Sequence, residues 1–544
     1  MTAVLQRPAP VAERTHDLTG VGTLVRVGLR RERVRLAVWV AALGGFLTLV
    51  ATSLQEVYPN PAAWQGRAAI MREPSGALLS GPGYGLDDYT VGPMVANEML
   101  GMLAVAVALM SSFLVVRHTR AEEEQGRLDL VLAGVVGRRA PLVAALVLAV
   151  VADAAVAVAL VAGMLAAGLP LAGSLAVGAG VGAVGLVGAG LAAVTAQLTW
   201  RARTANGLAS AAVALAYVLR GVGDARQQGG SALSWASPIG WAQQTRAFVD
   251  ERWWPLLLVL ALAAALVAVA LVLGRRRDVG AGLLPERRGR ARASAALRSP
   301  LALVARLERG ALVGWAVGLA VMAVLTGSLV EGVVDGLEAD PALADVFGAT
   351  GDDVVLGMLS AFLGFLAMAV TVFAVVAVLR AGREEARGRA ATVLAAAVSR
   401  PAWLGAHLVV AVAAAAVLLV LSGTALGAGA VAVTDDAGLV GDLALASLVH
   451  LPVVAGFAAL AALVHALRAP TWTLWLVVVA SVVAGLYGGL LGLPRAVLDA
   501  VPFALVPAAP AEAFDAGAVL AVSAVAVLLS AAALAVHRRR DLAA

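Results

Sequence analysis

The amino-acid sequence predicts an all-α polytopic membrane protein, with about twelve transmembrane helices in two homologous six-helix halves. The 544 residues are 61% hydrophobic and 14% charged, and the mean hydropathy is +0.90. Soluble globular domains carry roughly 25% charged residues. Long apolar segments recur along the chain, and a charged motif between two of them is repeated 262 positions later. Together these observations favour a duplicated membrane protein.

Twelve apolar segments are candidate membrane spans, because a helix needs about 20 mainly apolar residues to cross a bilayer. The fifth is short and the eleventh is interrupted by glycine. In chain order the predicted spans are 36–54, 95–116, 141–169, 172–200, 205–219, 255–274, 311–330, 354–379, 401–427, 443–467, 472–491 and 516–536.

The distribution of charge predicts which loops face the cytoplasm. With the N-terminus inside, the segments on that side hold 33 of the 40 arginines, whereas the outer loops hold 20 of the 35 acidic residues. Cytoplasmic loops of membrane proteins are enriched in basic residues. We therefore expect a multi-pass protein of a bacterial plasma membrane with both termini in the cytoplasm. The net charge of +5 then reflects topology, and nucleic-acid binding is not expected.

A charged motif, E-E-x-x-G-R, occurs once in each half, between the second and third spans of that half. The repeat divides the chain into a first half at 1–274, a basic linker at 275–310 and a second half at 311–544. Internal repeats are common among transporters. The motif residues are Glu122, Glu123, Gly126 and Arg127 in the first half and Glu384, Glu385, Gly388 and Arg389 in the second.

The charged segment near 120–139 fits a short amphipathic helix on the cytoplasmic surface, and a matching segment lies near 383–400. Its glutamates lie in the first turn and its last arginines at the end, where the helix dipole favours each charge. Topology requires arginine but not paired glutamates, so we infer a specific contact, such as a basic groove on a partner protein. A solvated loop is the alternative. The apolar residues at helical spacing are Leu128, Val131, Leu132, Val135 and Val136.

The composition also limits what this chain can bind by itself. All forty basic residues are arginine, and a Walker A loop needs lysine to reach the nucleotide phosphates. There is no cysteine, and the six histidines lack metal-ligand spacing. We therefore expect no cofactor and no metal on this chain; any ATP would be bound by a partner.

The charged segments resemble those of ABC-2 type exporter permeases. The resemblance rests on E-E-E-Q-G-R-L-D-L-V-L-A at 122–133 and on the closing V-S-R at 398–400. The linker R-R-D-V-G-A-G-L-L-P at 276–285 and the loop S-P-I-G-W at 237–241 are similar to those of actinobacterial exporters of polyketide antibiotics, the tetronasin-type permeases. The resemblance covers essentially the whole chain.

The resemblance implies a permease that is not itself an enzyme, energised by a separate ABC ATPase that carries ATP and Mg²⁺. Two ATPase copies would dock on each chain, one at each coupling helix, which assigns the coupling role to the eight motif residues. Connecting helices are implied at 26–35 and 301–309, each lying at the membrane interface. The implied cargo is a hydrophobic, amphipathic, antibiotic- or drug-like molecule exported through a bundle surrounded by membrane lipids.

Acidic residues suggest two alternative functions. Asp153 and Glu98 lie in predicted spans, where ionisable groups are costly, and a translocation path through them would suit a proton-coupled secondary multidrug transporter. For Asp153, a structural hydrogen bond to a neighbouring helix is an equal alternative. Outer acidic pairs at 87–88, 352–353 and 435–436 suit a membrane glycosyltransferase, although only 5% of the residues are aromatic.

Overall fold

The computed structural model describes residues 17–284, 292–294, 297–328, 330, 351–434, 436–487 and 494–540. These residues form α-helices joined by turns and short 3-10 segments, and no strand occurs among them. The chain divides into two compact units, Met1–Arg288 and Gly289–Ala544. The predicted all-α polytopic fold is confirmed.

The helices of the first unit include six long ones and five short ones. In chain order they are α1 (Val21–Val57), α2 (Pro61–Arg72), α3 (Pro74–Leu79), α4 (Val91–His118), α5 (Arg120–Glu124), α6 (Arg127–Leu132), α7 (Ala140–Ala166), α8 (Leu171–Leu198), α9 (Ala202–Arg226), α10 (Pro238–Gln243) and α11 (Trp254–Arg275).

The described helices of the second unit follow a similar order of long and short elements. They are α12 (Pro300–Gly327), α13 (Gly351–Val378), α14 (Arg380–Ala386), α15 (Arg389–Leu394), α16 (Arg400–Thr434), α17 (Gly438–Ser447), α18 (Leu451–Ala466), α19 (Thr471–Tyr487), α20 (Arg495–Leu498) and α21 (Ala516–Arg539).

Each unit buries two central helices and exposes the apolar faces of the outer ones. In the first unit α4 packs along α8, and α1, α7, α9 and α11 surround this pair. In the second unit α13 and α18 lie at the centre, against α12, α16, α19 and α21. Outer helices carry large exposed apolar side chains, which suits contact with lipid because bilayer tails are themselves apolar.

Eleven helical segments of the described chain are long and apolar enough to cross a membrane. The predicted eleventh span falls on α19, a 17-residue helix, and its remainder lies outside the described residues. The uncertain fifth span is longer than predicted, because α9 runs over 25 residues. The predicted tenth span contains the break between α17 and α18.

The implied connecting helices are not separate elements. Residues 26–35 form early turns of α1, a continuous 37-residue helix, and residues 301–309 begin α12 in the same way. No proline interrupts either sequence before its apolar part, so the helix continues from the basic stretch into the span. Of residues 331–353, which include the predicted outer acidic pair at 352–353, only 351–353 belong to the described chain.

The predicted amphipathic helix at 120–139 is in fact two short helices. Gly126 lies between α5 and α6 with φ +69°, a left-handed conformation that ends one helix and that glycine adopts without a steric penalty. Gly388 has φ +71° between α14 and α15. The apolar residues at helical spacing do not form one buried face. Leu128 is buried, whereas Val135 lies beyond α6 and is 73% exposed.

Candidate functional site

The motif glutamates of the first unit are held by arginines of the same unit. Glu123, in α5, forms a bidentate ion pair with Arg277, which follows α11: Nη2–Oε1 is 2.6 Å and Nη1–Oε2 is 2.8 Å. Arg120 Nη1 donates to the same carboxylate at 2.8 Å. The Glu123 side chain is only 5% exposed. Because bidentate charged hydrogen bonds are directional, the pair fixes the start of the motif segment to the end of the last span.

Arg120 anchors the other side of this cluster. Its side chain is fully buried, and its Nε donates to the carbonyl of Ala196, near the end of α8, at 2.8 Å. Glu124 Oε2 accepts the backbone N–H of Ala202 at the start of α9, at 2.9 Å. The motif segment is therefore tied to three membrane helices by hydrogen bonds.

The second unit repeats the central ion pair. Arg540, which follows α21, donates from Nη2 to Glu385 Oε1 at 2.6 Å, and from Nη1 to the carbonyl of His465 at 2.7 Å. The Glu385 side chain is 6% exposed. In both units the second motif glutamate thus binds an arginine that lies one or two residues after the last helix of that unit.

The first motif glutamate makes a more exposed contact. Glu122 accepts from Arg127 Nε at 2.7 Å and from Arg31 of α1 at 3.0 Å, and Glu384 accepts from Arg389 at 2.8 Å. Both motif arginines are about half exposed, so solvent screens these pairs and each stabilises little. Their geometric effect is to bridge the turn at the motif glycine.

A further set of ion pairs joins the first helix of each unit to the region where its second span ends. Glu32 of α1 is buried and accepts from Arg117 at 2.6 Å, with His118 Nε2 at 3.1 Å. In the second unit Glu308 of α12 pairs with Arg380 at 2.9 Å. The basic stretches at 26–35 and 301–309 thus include a buried acid that docks them on the neighbouring span.

The motif glutamates make contacts that differ from the predicted one. A basic groove on a partner protein is predicted because topology alone does not explain the glutamates, but in the structure all four pair with an arginine of this chain. The parts of the segment left for another protein are exposed: Leu130 is 78% exposed and Val135 is 73% exposed. At the positions 262 residues later, the second unit has exposed Thr392 and Ala397, so its surface is less apolar.

Sequence reasoning missed Arg277 and Arg540, although a signal was present. The tetrapeptide R-R-R-D occurs at 275–278 and again at 538–541, an offset of 263 that nearly equals the offset of the motif. A repeat search extended to the span ends would have marked both arginines. Their contact with glutamates more than 150 positions away is a property of the fold and not of the local pattern.

The two candidate path residues lie in different surroundings. Asp153 of α7 is buried and accepts a short hydrogen bond from Ser111 of α4, which is the structural contact to a neighbouring helix considered above. Glu98 of α4 pairs with Arg67 of α2 at 2.8 and 3.0 Å. Burial beside this carboxylate raises the pKa of Tyr89. Burial acts to lower the pKa of Arg67, but hydrogen bonding to Glu98 and its negative charge outweigh burial and raise that pKa.

These features define a class of protein. The chain is an all-α multi-pass membrane protein in which a charged segment between two spans is joined by buried ion pairs to a later span of the same unit.

Comparison with known proteins gives the family. Residues 297–538 match the family model described as "Multidrug efflux system permease Rv1217c, C-terminal domain". The chain is also 39% identical over 555 residues to the multidrug efflux system permease protein Rv1217c of Mycobacterium tuberculosis, with 99% of each chain covered. The chain therefore belongs to this family of multidrug efflux permeases.

Proposed function

We propose that the chain is the membrane-spanning subunit of an ATP-driven (ABC) exporter, energised by a separate ATPase subunit. The observation that carries the proposal is the duplicated ion pair, Glu123–Arg277 and Glu385–Arg540. Each pair connects the segment after the second span to the end of the last span in the same unit. Breaking a buried ion pair is costly. A displacement of the segment would therefore move the membrane helix with it.

Two ATPase copies would dock on the chain, one at each motif segment, and would hold the ATP and Mg²⁺. In this account the motif glutamates, glycines and arginines position the segment, whereas the exposed Leu130 and Val135 contact the ATPase. The absence of lysine from the chain supports an ATP site on a partner. The resemblance to ABC-2 type and tetronasin-type permeases supports the same assignment, and the arginine-rich side that carries both termini would face the cytoplasm.

The cargo we propose is an amphipathic, antibiotic- or drug-like compound. The relative with 39% identity is described as a multidrug efflux permease, which supports drug-like substrates. The two acidic residues considered for a path, Asp153 and Glu98, are engaged by Ser111 and Arg67. A charged cargo that needed one of these two acids as an ionic partner would therefore have to displace Ser111 or Arg67.

The test is complex formation between the purified chain and a candidate ABC ATPase that is co-expressed with it. We expect native mass spectrometry to show two ATPases for each permease. Replacing Glu122, Glu123, Glu384 and Glu385 together by alanine should lower both complex formation and transport. Replacing Asp87, Asp88, Asp250 and Glu251, four acids on the other side of the membrane, is the matched control. An unchanged complex and unchanged transport in the first variant would show that the motif ion pairs are not required for ATPase docking and would contradict the proposal.

A further inference from the structure

The basic stretch in the first helix of each unit contains a second repeat, which the proposed function does not use. Shifting the stretch of α1 by 276 positions places two arginines, a leucine and a tryptophan on identical residues of α12. The matched pairs are Arg30 and Arg306, Arg33 and Arg309, Leu36 and Leu312, and Trp39 and Trp315. In each unit the two arginines therefore lie three and six residues before the leucine at which the apolar sequence begins.

The repeated arginines lie on the part of each helix that points away from the rest of the unit. Glu32 and Glu308, which occupy the same place in the repeat, are buried and form ion pairs with a neighbouring helix end. Two residues correspond to about 200° of rotation in an α-helix with 3.6 residues per turn. Arg30 and Arg306 therefore lie almost opposite the buried glutamates, and all four repeated arginines are exposed.

The repeated arginines carry positive charge that the described chain does not neutralise. Other arginines of the same stretch are engaged, because Arg31 pairs with Glu122 and Arg35 pairs with Glu32. None of the four repeated arginines forms an ion pair with a residue that the structure describes. Residues at i and i+3 are neighbours on a helix surface, so the two guanidinium groups of each pair are available to one anionic group.

The position of the arginines along the helix matches the level of the lipid head groups. A residue adds about 1.5 Å to the length of an α-helix, so the two arginines lie about 4.5 and 9 Å before the leucine. The polar layer on each side of a bilayer is roughly 5–8 Å thick, because the whole bilayer measures about 40–45 Å and its hydrocarbon core about 30 Å. Both helices are continuous across this boundary, so the arginines lie beside the phosphate groups of one leaflet.

The same face of each helix is exposed and apolar within the span. Residues seven and eleven positions after the first arginine share its face, since they follow it by two and three helical turns. They are Ala37 and Ala41 in α1 and Val313 and Val317 in α12, and all four are exposed. A helix face with two arginines at one end and apolar residues along its length is complementary to a lipid with an anionic head group.

We propose that each unit binds an anionic phospholipid along this face of its first helix. In the first unit the phosphate lies against Arg30 and Arg33, because guanidinium groups donate hydrogen bonds to phosphate with good geometry. In the second unit it lies against Arg306 and Arg309. The acyl chains run along the exposed apolar residues of the same face. These sites go beyond the proposed function and do not depend on the source of energy.

The test counts the lipids bound to the full chain by native mass spectrometry in a neutral detergent, with phosphatidylglycerol and phosphatidylcholine as probes. We expect two tight sites for phosphatidylglycerol that phosphatidylcholine does not fill. The variant R30Q/R33Q should weaken one site and R306Q/R309Q the other, each by roughly tenfold to thirtyfold, since each arginine near a membrane surface contributes about a factor of five. Two unchanged sites in both variants would overturn the proposal.

Each unit offers a matched control that removes two other exposed arginines from the same side of the membrane. These controls are R275Q/R276Q at the end of α11 and R538Q/R539Q at the end of α21. Each should change the affinity for phosphatidylglycerol less than about twofold, because exposed charges outside a site act only through screened interactions. Equal losses in the controls and in the arginine-pair variants would show a general effect of surface charge and overturn the sites.

A second measurement separates the lipid from other anionic ligands. Phosphatidylglycerol should raise the midpoint of thermal unfolding of the wild-type chain, and this rise should be lost in R30Q/R33Q/R306Q/R309Q. Inorganic phosphate should neither raise the midpoint nor displace the lipid, and displacement would show an anion site without a lipid. Unchanged lipid binding in R30Q/R33Q together with weaker ATPase binding would assign that arginine pair to a protein partner and overturn the lipid site.

Discussion

Glu123 and Arg277 lie 154 positions apart in the chain and form a bidentate ion pair, with two N–O distances of 2.6 and 2.8 Å. The pair is largely buried. The same arrangement recurs between Glu385 and Arg540. A permease that moves its last span together with the segment between its second and third spans needs a rigid contact of this kind.

Removing Arg277 should therefore destabilise the first unit. In Arg277→Ala the buried Glu123 loses its bidentate partner, and breaking such a pair costs about 3 kcal/mol or more. Thermal unfolding in detergent should show a lower midpoint, and transport should fall with it. Arg276→Ala removes an exposed neighbour and should leave both unchanged. Equal stability of the two variants would mean that the ion pair contributes nothing.

Replacing the motif glycines should disturb the segment while leaving the spans folded. Gly126→Ala and Gly388→Ala place a Cβ on a left-handed residue, which costs about 1–2 kcal/mol, although no neighbouring atom blocks the space. We expect weaker ATPase binding in pull-down experiments with a small change in thermal stability. Gly134→Ala is the control in the same segment, because its φ is ordinary and its nearest neighbour is 3.5 Å away. Wild-type ATPase binding in both motif variants would argue against a requirement for this turn.

The exposed apolar residues of the first segment should contact the ATPase directly. Leu130→Ser removes a side chain that is 78% exposed, so the permease should keep its stability but bind the ATPase at least several-fold more weakly, because buried apolar contacts dominate interfaces. Surface plasmon resonance on immobilised permease measures this change. Thr392→Ser is the matched substitution in the second unit and should have little effect. If the two substitutions weaken binding equally, the more apolar surface of the first segment does not determine ATPase binding.

Asp153 should behave as a structural residue. Its carboxylate accepts from Ser111 across the α4–α7 contact, and asparagine at this position keeps an oxygen acceptor for that hydroxyl. We expect Asp153→Asn to retain ATP-driven transport within about twofold, since a neutral hydrogen bond contributes only about 1 kcal/mol. Transport assays at several pH values check this. A complete loss of transport with an intact fold would return Asp153 to the translocation path.

Hydropathy and charge were sufficient to predict the membrane helices, because crossing a bilayer imposes a length and composition on each segment. The ends of the helices were harder to place. The basic residues 26–35 look like a separate interfacial element, but they continue into α1 because no residue breaks the helix and because Glu32 docks on Arg117.

The motif residues were predictable as a set, but their contacts were not. A local sequence pattern shows that Glu123 is unusual, whereas its partner Arg277 is placed by the packing of α11 on α8. The turn at Gly126 is in principle readable, since glycine often ends a helix. The helical spacing of the apolar residues around it favoured a single helix instead.

The most direct test of the account is transport in proteoliposomes that contain the full chain and its ATPase, with ATP or a proton gradient supplied separately. We predict export of an amphipathic drug that requires ATP, stops with vanadate and is reduced by Arg277→Ala but not by Arg276→Ala. Export that continues without the ATPase and follows the proton gradient would contradict the proposal of an ATP-driven exporter.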